Sequence, residues 1–543
     1  MKKSVQILAF IGTVLGFFMA LLDTTIVNIA IPDMINVFNT NVTDVSWIIN
    51  GYNLTFAIFL LTASRIADKY GRKKIFITGL IIFVVASILC GISENLNQLI
   101  IFRFIQGIGA AITVPVSIPI ALELFSDNNR SKVVGIWGAL SALASASGPV
   151  LGGLLIHYLG WEFIFFVNVP LGLISILLVS IYIKESYGDN KNIKLDVLGT
   201  LFFTIFISSL TYALIKGDDY GWTSYTILIL LVLSIVFLIA FLIRELKAHN
   251  AMLPIKIFKN RQFSLGNITI LLIGIILNSI LFIFSLYLTK LVGFSTLKAG
   301  LILSTLAIAT MIISALTGPI VQKKGSLIIS LIGLLILIST SFSMFLLEYN
   351  SSLSKIIFLL VVSGIGIGLC FAPVMSSVVE KGGKQYLGVV SGLSNVGRTL
   401  GGIMGIAVMV SILNTSMDTN TDKSIEEVKK HVTSNEKLNE EMKKSIIKKI
   451  EKADLNKDLE DNKKKFKNKI NEKLLVLNKN SLQYQALENQ KKEGIKEIND
   501  AEDIFKTNYM NAFYNTFIAI GIFSIVAFIM ALFSDSRKRE NSK

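Results

Sequence analysis

An aspartate lies within the first apolar run of the chain. Asp23 belongs to residues 22–32, Leu-Asp-Thr-Thr-Ile-Val-Asn-Ile-Ala-Ile-Pro, and the apolar run extends over about residues 5–31. If this run crosses a bilayer, an ionised carboxylate there costs about 2.5–3.5 kcal/mol on insertion scales. Because burial favours the neutral carboxyl group, such an acid can take up and release a proton. The alternative is an ionised Asp23 in a structural ion pair with Arg103 or Arg398.

A permanent cation lies within another apolar run. Arg103 begins the string Arg-Phe-Ile-Gln-Gly-Ile-Gly, which ends at Gly109. A guanidinium keeps its proton in proteins, so Arg103 must face a polar interior and find partners there. Backbone carbonyl groups would satisfy it as a purely structural cation, and a carboxylate would make it part of a charge network.

Apolar runs of about twenty residues recur along the whole chain. The 543 residues are 52% hydrophobic and 16% charged, and their mean hydropathy is +0.64. About twenty apolar residues in a helix cross the hydrocarbon core of a bilayer. We predict an all-α, multi-pass membrane protein with fourteen spanning helices, embedded in a lipid bilayer.

The charge pattern indicates membrane orientation. The net charge is +15, but the basic residues cluster in short loops on one side of the predicted spans, which indicates membrane topology rather than nucleic-acid binding. Both termini are therefore predicted to lie in the cytoplasm, with the protein in the cell membrane. The two cysteines fall inside spans, and the three histidines show no metal-ligand spacing, so no metal site is expected. No phosphate-binding loop is present, and neither a cofactor nor an enzymatic activity is expected.

Two parts of the chain resemble each other at an offset of about 250 residues. Residues 64–71 match 318–325, and the Gly-Pro string at 148–153 matches 397–402. Parallel repeats are typical of transporters whose site lies between two halves. The predicted division is an N-terminal six-helix half and two additional helices, then the C-terminal half, an insertion and a last helix with its tail. Their ranges are 1–185, 186–262, 263–413, 414–510 and 511–543.

The insertion at residues 414–510 is hydrophilic. Its apolar residues recur at helical spacing, which predicts two or three amphipathic helices packed as a hairpin rather than a disordered segment. The span count places it outside the cell, where it could bind an extracellular partner. The apolar positions of this pattern are Leu438, Met442, Ile446, Ile450, Phe466, Ile470, Leu474 and Leu477.

The loop at residues 64–74, Ser-Arg-Ile-Ala-Asp-Lys-Tyr-Gly-Arg-Lys-Lys, resembles the signature between helices 2 and 3 of the major facilitator superfamily. In that family the loop latches the two halves together in the outward-facing state. The resemblance implies this role for the matching residues, and Glu123 is a candidate partner for Arg72. The predicted latch residues are Asp68, Gly71, Arg72, Lys73 and Glu123.

Further motifs resemble the fourteen-span drug:proton antiporters of this superfamily. The resemblance implies proton coupling for Asp23 and Arg103. The Gly-Pro-x-x-Gly-Gly string at Gly148, Pro149, Gly152 and Gly153 resembles the motif of antiporters rather than symporters. Residues implied to line a substrate cavity are Asn28, Gln106, Asn395 and Arg398.

The resemblance implies efflux of amphipathic or cationic drugs, driven by the proton gradient through rocker-switch alternating access. No acidic residue lies in the middle of predicted spans 9–14, which argues against dications as substrates. Two alternatives remain: a dedicated exporter of a lipid, peptide or metabolite, and a membrane-anchored receptor or adhesin that uses the insertion.

Overall fold

The computed structural model describes residues 3–125, 130–187, 196–248, 258–381, 387–440, 443–444, 446–447 and 482–534. All of the regular structure in these ranges is helical. A π-helical turn, Tyr287–Leu291, follows α10, and a 3₁₀ turn, Met344–Leu346, follows α12. The helices are α1 (Lys3–Val37), α2 (Val42–Tyr70), α3 (Arg72–Gly91), α4 (Leu96–Glu123), α5 (Arg130–Leu159), α6 (Phe163–Phe166), α7 (Asn168–Tyr182), α8 (Val197–Tyr220), α9 (Tyr225–Lys247), α10 (Arg261–Leu286), α11 (Thr296–Lys324), α12 (Ser326–Ser343), α13 (Leu353–Lys381), α14 (Leu387–Ser434) and α15 (Leu482–Ser534).

Most of these helices have the length and composition of membrane spans. Within the described residues, twelve are long and apolar enough to cross a bilayer, or thirteen if the bent helix α2 is one span. Helices α6 and α7 together form one of them, Phe163–Tyr182, and α5 contributes a shorter apolar stretch, Ser147–Leu159. The all-helical, multi-span prediction is confirmed, whereas the number fourteen stays a prediction.

Polar side chains begin several of the apolar helices. The side chains of Asn41, Asn95 and Ser295 accept hydrogen bonds from the first-turn N–H groups of α2, α4 and α11. These caps satisfy donors that have no partner within the helix. A short polar residue therefore marks the start of each of these three helices.

The helices form two groups with a peripheral pair between them along the chain. Helices α1–α7 pack around one apolar core, and α10–α15 supply most of another. Helices α8 and α9 pack on each other through edge contacts such as Phe202 with Phe237. Most of α9 is exposed, as expected for a helix that faces lipid.

The two groups are hydrogen-bonded at one end of the bundle. We call this end, where α1 ends and α2 begins, the joined end; the opposite end, which holds Gly71, is the loop end. Each bond connects a side chain of α1 or of the start of α2 to the second group. The pairs are Asp33 with Thr296, Asn36 with Lys290 and Thr43 with Asn414, each at 2.7 Å.

Helices α5 and α11 make a close contact between the groups near the joined end. A Cβ atom added to Gly300 of α11 would lie 2.3 Å from the carbonyl oxygen of Pro149. One added to Gly153 would lie 3.1 Å from the Cα atom of Leu297. Small residues at such a crossing let the two backbones touch.

Helices α14 and α15 continue beyond the predicted membrane segments. α14 runs without a break past residue 414, the predicted start of the insertion, and α15 begins far before residue 511. The two extensions bury a small apolar cluster against each other, which supports the predicted helical packing. The cluster contains Val428, Val432, Leu438, Ile446, Ala501 and Phe505. The remaining predicted apolar positions, Met442, Ile450, Phe466, Ile470, Leu474 and Leu477, lie outside the described residues.

Replacing Gly300 with leucine should open the joined end. The side chain would collide with the Pro149 carbonyl, and overpacking of this kind costs about 1–3 kcal/mol. Spin labels at Val37→Cys and Lys298→Cys, both on exposed positions at this end, should report a longer distance in the Gly300→Leu variant. Gly397→Ala is the control, because its added Cβ would lie 3.7 Å from the nearest oxygen. An unchanged distance distribution in folded Gly300→Leu protein would contradict this account of the contact.

Candidate functional site

The Asp23 side chain is fully buried on α1 and receives hydrogen bonds from three other side chains. Its Oδ2 atom accepts from Arg103, in an ion pair whose two partners are both at most 1% exposed. Its Oδ1 atom accepts from Gln106 Nε2 and Asn168 Nδ2, each at 3.0 Å. Its two oxygens therefore accept three side-chain hydrogen bonds, two from α4 and one from α7.

Arg103 has partners on every side. Its Nε atom donates to the Ile48 carbonyl oxygen at 2.9 Å, and its Nη1 atom also donates to Gln106 Oε1 at 2.6 Å. The guanidinium lies 4.2 Å from the ring centre of Tyr52. A cation over an aromatic face is stabilised by the ring quadrupole, more strongly where water is excluded. Arg103 thus bonds both the carboxylate and the backbone carbonyl that the sequence left as alternatives.

The spacing of the α4 motif explains how these groups meet. Arg103 and Gln106 are three residues apart, so both side chains project from one face of the helix. Gly107 faces α2, where an added Cβ would lie 2.3 Å from the Tyr52 carbonyl oxygen. Gly109 faces α3, where an added Cβ would lie 2.6 Å from the Phe83 nitrogen. The glycines let α2 and α3 approach closely enough to enclose the charges.

Three members of this network were not predicted. Ser87 Oγ on α3 accepts from Gln106 at 2.6 Å and from Asn168 at 3.2 Å. Asn168 follows the break between α6 and α7, and its Oδ1 atom has no partner among the described residues. Tyr52 donates to the Ala20 carbonyl at 3.0 Å. A lone serine in an apolar run and an asparagine before Val-Pro were the available sequence signals; Tyr52 carried none.

The four predicted cavity residues lie on three helices, α1, α4 and α14. Gln106 belongs to the Asp23 network. Asn28 is buried one turn beyond that network and donates to the Thr24 carbonyl at 3.2 Å, while its Oδ1 atom has no partner within the described chain. Asn395 and Arg398 lie one turn apart on α14, in the second group of helices.

Arg398, on α14, lies near Tyr52 of the Asp23 network. Its guanidinium is an electrostatic neighbour of Tyr52, and its backbone packs on α10, where a Cβ added to Gly274 would lie 2.2 Å from the Arg398 carbonyl oxygen. Within the described ranges, no hydrogen bond or ion pair is made by this guanidinium. The predicted alternative pair of Asp23 with Arg398 is therefore not formed, and Arg103 takes that place.

The loop-end motif forms a second charge cluster. Arg72 Nε donates to Asp68 Oδ1 at 2.9 Å, and the same guanidinium forms an ion pair with Glu123. The predicted contact between Arg72 and Glu123 is therefore present. Lys73 donates through Nζ to the Ser180 carbonyl at 2.7 Å. All of these partners belong to the first group of helices.

Glu185, which the sequence analysis did not identify, caps this cluster. Its carboxylate accepts from the backbone nitrogens of Lys73 and Lys74 at 2.9 and 3.1 Å, at the N-terminus of α3. A negative charge there satisfies unpaired donors and complements the helix dipole. Gly71 has φ 111°, and an added Cβ would lie 2.6 Å from the Glu185 carboxyl carbon. Both constraints require glycine at position 71.

The Gly-Pro string of α5 lies between α1 and the second group. A Cβ added to Gly148 would lie 2.1 Å from Thr25 Oγ1, and one added to Gly152 would lie 2.5 Å from Ile29. The other side of the string, at Pro149 and Gly153, contacts α11. The motif therefore connects the helix of Asp23 to the other group, and Gly300 is the missed partner in this contact.

Two groups of spanning helices that meet around a central interface are typical of secondary transporters. The fold defines a multi-pass membrane transporter. A family model described as Major Facilitator Superfamily matches residues 13–406, and the chain belongs to that superfamily.

Curated relatives match about three quarters of the chain. This chain is 34% identical over 419 residues to the methylenomycin A resistance protein of Bacillus subtilis, and the match covers 75% of this chain and 87% of the relative. It is 30% identical over 405 residues to the multidrug resistance protein Stp of Mycobacterium tuberculosis, covering 74% and 75%. The multidrug transporter protein MdtP of Bacillus subtilis is 31% identical over 409 residues, covering 75% of each chain.

A solved structure shares the fold at low identity. This is the crystal structure of a bacterial homolog to the human lysosomal transporter Spinster, in an inward-facing and occupied conformation. The TM-score is 0.62 at 14% identity, and the alignment covers 98% of this chain and 97% of the other. The likeness supports the major facilitator fold.

Breaking the Asp23–Arg103 pair should destabilise the protein strongly. Removing one partner of a buried ion pair costs about 3–5 kcal/mol, because the other charge is left uncompensated. Thermal unfolding in detergent should show a large loss of stability for Arg103→Gln. The double variant Asp23→Asn/Arg103→Gln should lose less stability than the sum of the losses in the two single variants. The matched control is Lys216→Gln, which breaks a half-exposed pair with Asp44 and should cost about 1 kcal/mol or less. Equal losses for Arg103→Gln and Lys216→Gln would refute this view of the pair.

Proposed function

We propose that the protein is a proton-coupled efflux transporter that exports amphipathic small molecules by rocker-switch alternating access. The observation that carries the proposal is the fully buried Asp23 carboxylate, held by Arg103, Gln106 and Asn168. Three relatives, which are named as resistance proteins or a multidrug transporter, support export. The proton gradient is the energy source, and the membrane potential adds about 2.3 kcal/mol per charge per 100 mV. No cofactor is required.

Protonation of Asp23 would change the network in a defined way. The ion pair would lose its negative partner, and Arg103 would keep its bonds to the Ile48 carbonyl and Gln106. The protonated carboxyl group of Asp23 would have one O–H donor, whereas both oxygens of the carboxylate only accept hydrogen bonds. The contacts between α1 and α4 would weaken on protonation and strengthen on deprotonation.

The helix of Asp23 also contacts the interface between the groups. Thr25, two residues further along α1, packs on Gly148 of the α5 string. The Asn28 carbonyl accepts a bond from Ser285 of α10 at 2.9 Å. A shift of α1 that follows protonation would therefore act on the joined end directly, which couples proton binding to opening.

The loop-end cluster acts in the state in which the loop end is closed and the joined end is open. Asp68, Arg72 and Glu123 form a charged surface at the N-terminus of α3, which Glu185 caps. We assign it the latch function, in which it holds the second group when the loop end closes. Two pre-organised halves that alternate between closure at one end and at the other make the rocker switch.

The orientation follows from the charge pattern. With the loop end and both termini in the cytoplasm of the cell, the joined end and the extensions of α14 and α15 lie outside. The structure then represents a state closed to the outside. The extensions are free to bind an extracellular partner without blocking a cytoplasmic entrance.

The charge of the central region narrows the substrate class. Arg398 lies near Tyr52 and makes no hydrogen bond or ion pair with the described part of the chain, and Asp23 is already neutralised by Arg103. An uncompensated guanidinium attracts carboxylates and phosphates and repels cations. We therefore favour neutral or anionic amphipathic substrates over the cationic drugs that the resemblance implies. This also favours a metabolite or lipid exporter over a receptor or adhesin.

Substrate-induced proton release should depend on Asp23. Purified protein in weakly buffered detergent should release protons when a transported dye is added, and Asp23→Asn should abolish the release because an amide holds no exchangeable charge. Vesicle efflux of ethidium and carboxyfluorescein, each driven by an imposed proton gradient, identifies which dye is transported. Asp44→Asn, at a half-exposed ion pair, serves as the control. Undiminished gradient-driven efflux by Asp23→Asn would end the proposal.

Arg398→Gln should lower transport of an anionic dye relative to a neutral one. A hydrogen bond to a charged group contributes about 1.5–3 kcal/mol, which corresponds to roughly a 10-fold or larger effect. The measurement is the concentration dependence of carboxyfluorescein efflux, compared with a neutral dye in the same vesicles. Arg398→Lys should retain part of the carboxyfluorescein efflux. Arg244→Gln, a change in a peripheral ion pair, should leave the efflux of this dye unchanged. Ethidium transport that falls while carboxyfluorescein transport stays constant would exclude the anionic preference.

A further inference from the structure

A histidine and two acids meet where the extensions of α14 and α15 pack together. His431 lies on α14, and Glu497 and Asp500 lie on α15, with their ligand atoms all within 4.8 Å of one another. Glu497 and Asp500 are three residues apart and so share one face of their helix. Asn435, one turn after His431, donates a hydrogen bond from its side-chain amide to the Glu497 carboxylate. The four side chains face each other across the helix pair.

The Glu497 carboxylate is buried, and the described part of the chain places no lysine or arginine in an ion pair with it. It is 3% exposed, and its partners in the described residues are His431 Nδ1 at 3.0 Å and the Asn435 amide. A buried carboxylate costs several kcal/mol unless a cation compensates it. The imidazole can do this only when protonated, and it is half exposed. A bound metal ion would compensate both carboxylates at once.

The surrounding structure holds these ligands in place. The apolar contacts of Val428 and Val432 with Ala501 and Phe505 lie next to the cluster along the two helices. This packing fixes the distance between α14 and α15 without any metal. The open side of His431 leaves a path from solvent. A cluster with rigid support and an open side meets the requirements of a binding site.

We propose that His431, Glu497 and Asp500 bind one Zn²⁺ ion that joins the extensions of α14 and α15. An imidazole nitrogen and carboxylate oxygens are ligands that Zn²⁺ uses in proteins. Rotation of these side chains within their helices brings the three atoms to the spacing of ligands around one ion. The Asn435 amide or water completes the coordination. The site is separate from Asp23, so it stands independently of the proposed transport function.

Zinc titration of the full-length protein tests the site. Metal-free protein in detergent should bind one Zn²⁺ per chain by calorimetry. His431→Ala, Glu497→Gln and Asp500→Asn should each weaken binding more than about 10-fold, the lower limit for losing even a supporting group of a metal site. Asp500→Asn should disturb folding less than Glu497→Gln, because Asp500 is half-buried whereas Glu497 is buried. Controls are His157→Ala and Glu488→Gln, which change exposed residues away from the cluster.

A cobalt spectrum gives a second readout. Co²⁺ bound at the site should give visible absorption bands that disappear on adding one equivalent of Zn²⁺, and Asp500→Asn should lack them. Zinc uptake that is equal in the wild-type protein, the three variants and the two controls would show that His431 and Glu497 form only an ion pair, which would overturn the proposal.

Discussion

The burial of opposite charges between α1 and α4 is the constraint on which the rest of the first group depends. Asp23 and Arg103 are both almost fully removed from solvent, and neither would be tolerated alone in an apolar bundle. Their mutual attraction is supplemented by Gln106, Asn168 and the Ile48 carbonyl. Helices α1, α2, α4 and α7 are consequently positioned by polar contacts, in a region where apolar packing against lipid would give little orientation.

Glycine makes this arrangement geometrically feasible. Gly107 allows α2 to reach Arg103, and Gly148 allows α5 to reach Thr25 of α1. The same helix α5 then meets Gly300 of α11. A series of close backbone contacts therefore connects the buried charges with the interface between the two groups. Packed helices with so little free space move as rigid bodies, which suits a transporter that alternates between two discrete states.

Much of the fold and part of the site could be read from the sequence, for physical reasons that particular residues show. A charge in an apolar run is rare, so Asp23 and Arg103 could be identified without a structure. Apolar runs of about twenty residues located the spanning helices. Ser87, Tyr52 and Glu185 could not be identified, because their roles depend on which helices become neighbours. Arg398 was recognised as a motif residue, but only the packing of α14 on α2 shows that it lies near Tyr52. The cluster of His431 with Glu497 joins residues 66 positions apart, so local spacing could not reveal it.

The continuity of α14 and α15 through their extensions has a mechanical consequence. Residues 414–434 add about 30 Å of helix to α14 at 1.5 Å per residue, with no break between this segment and the part that packs on α10. The extensions of α14 and α15 both belong to the second group of helices, so a tilt of that group moves their tips by a larger distance. A rotation of a few degrees in the membrane becomes a displacement of ångströms at the tip. A force on that tip, for example from a neighbouring protein or the cell envelope, would exert a torque on the second group of helices and so favour one state of the transport cycle.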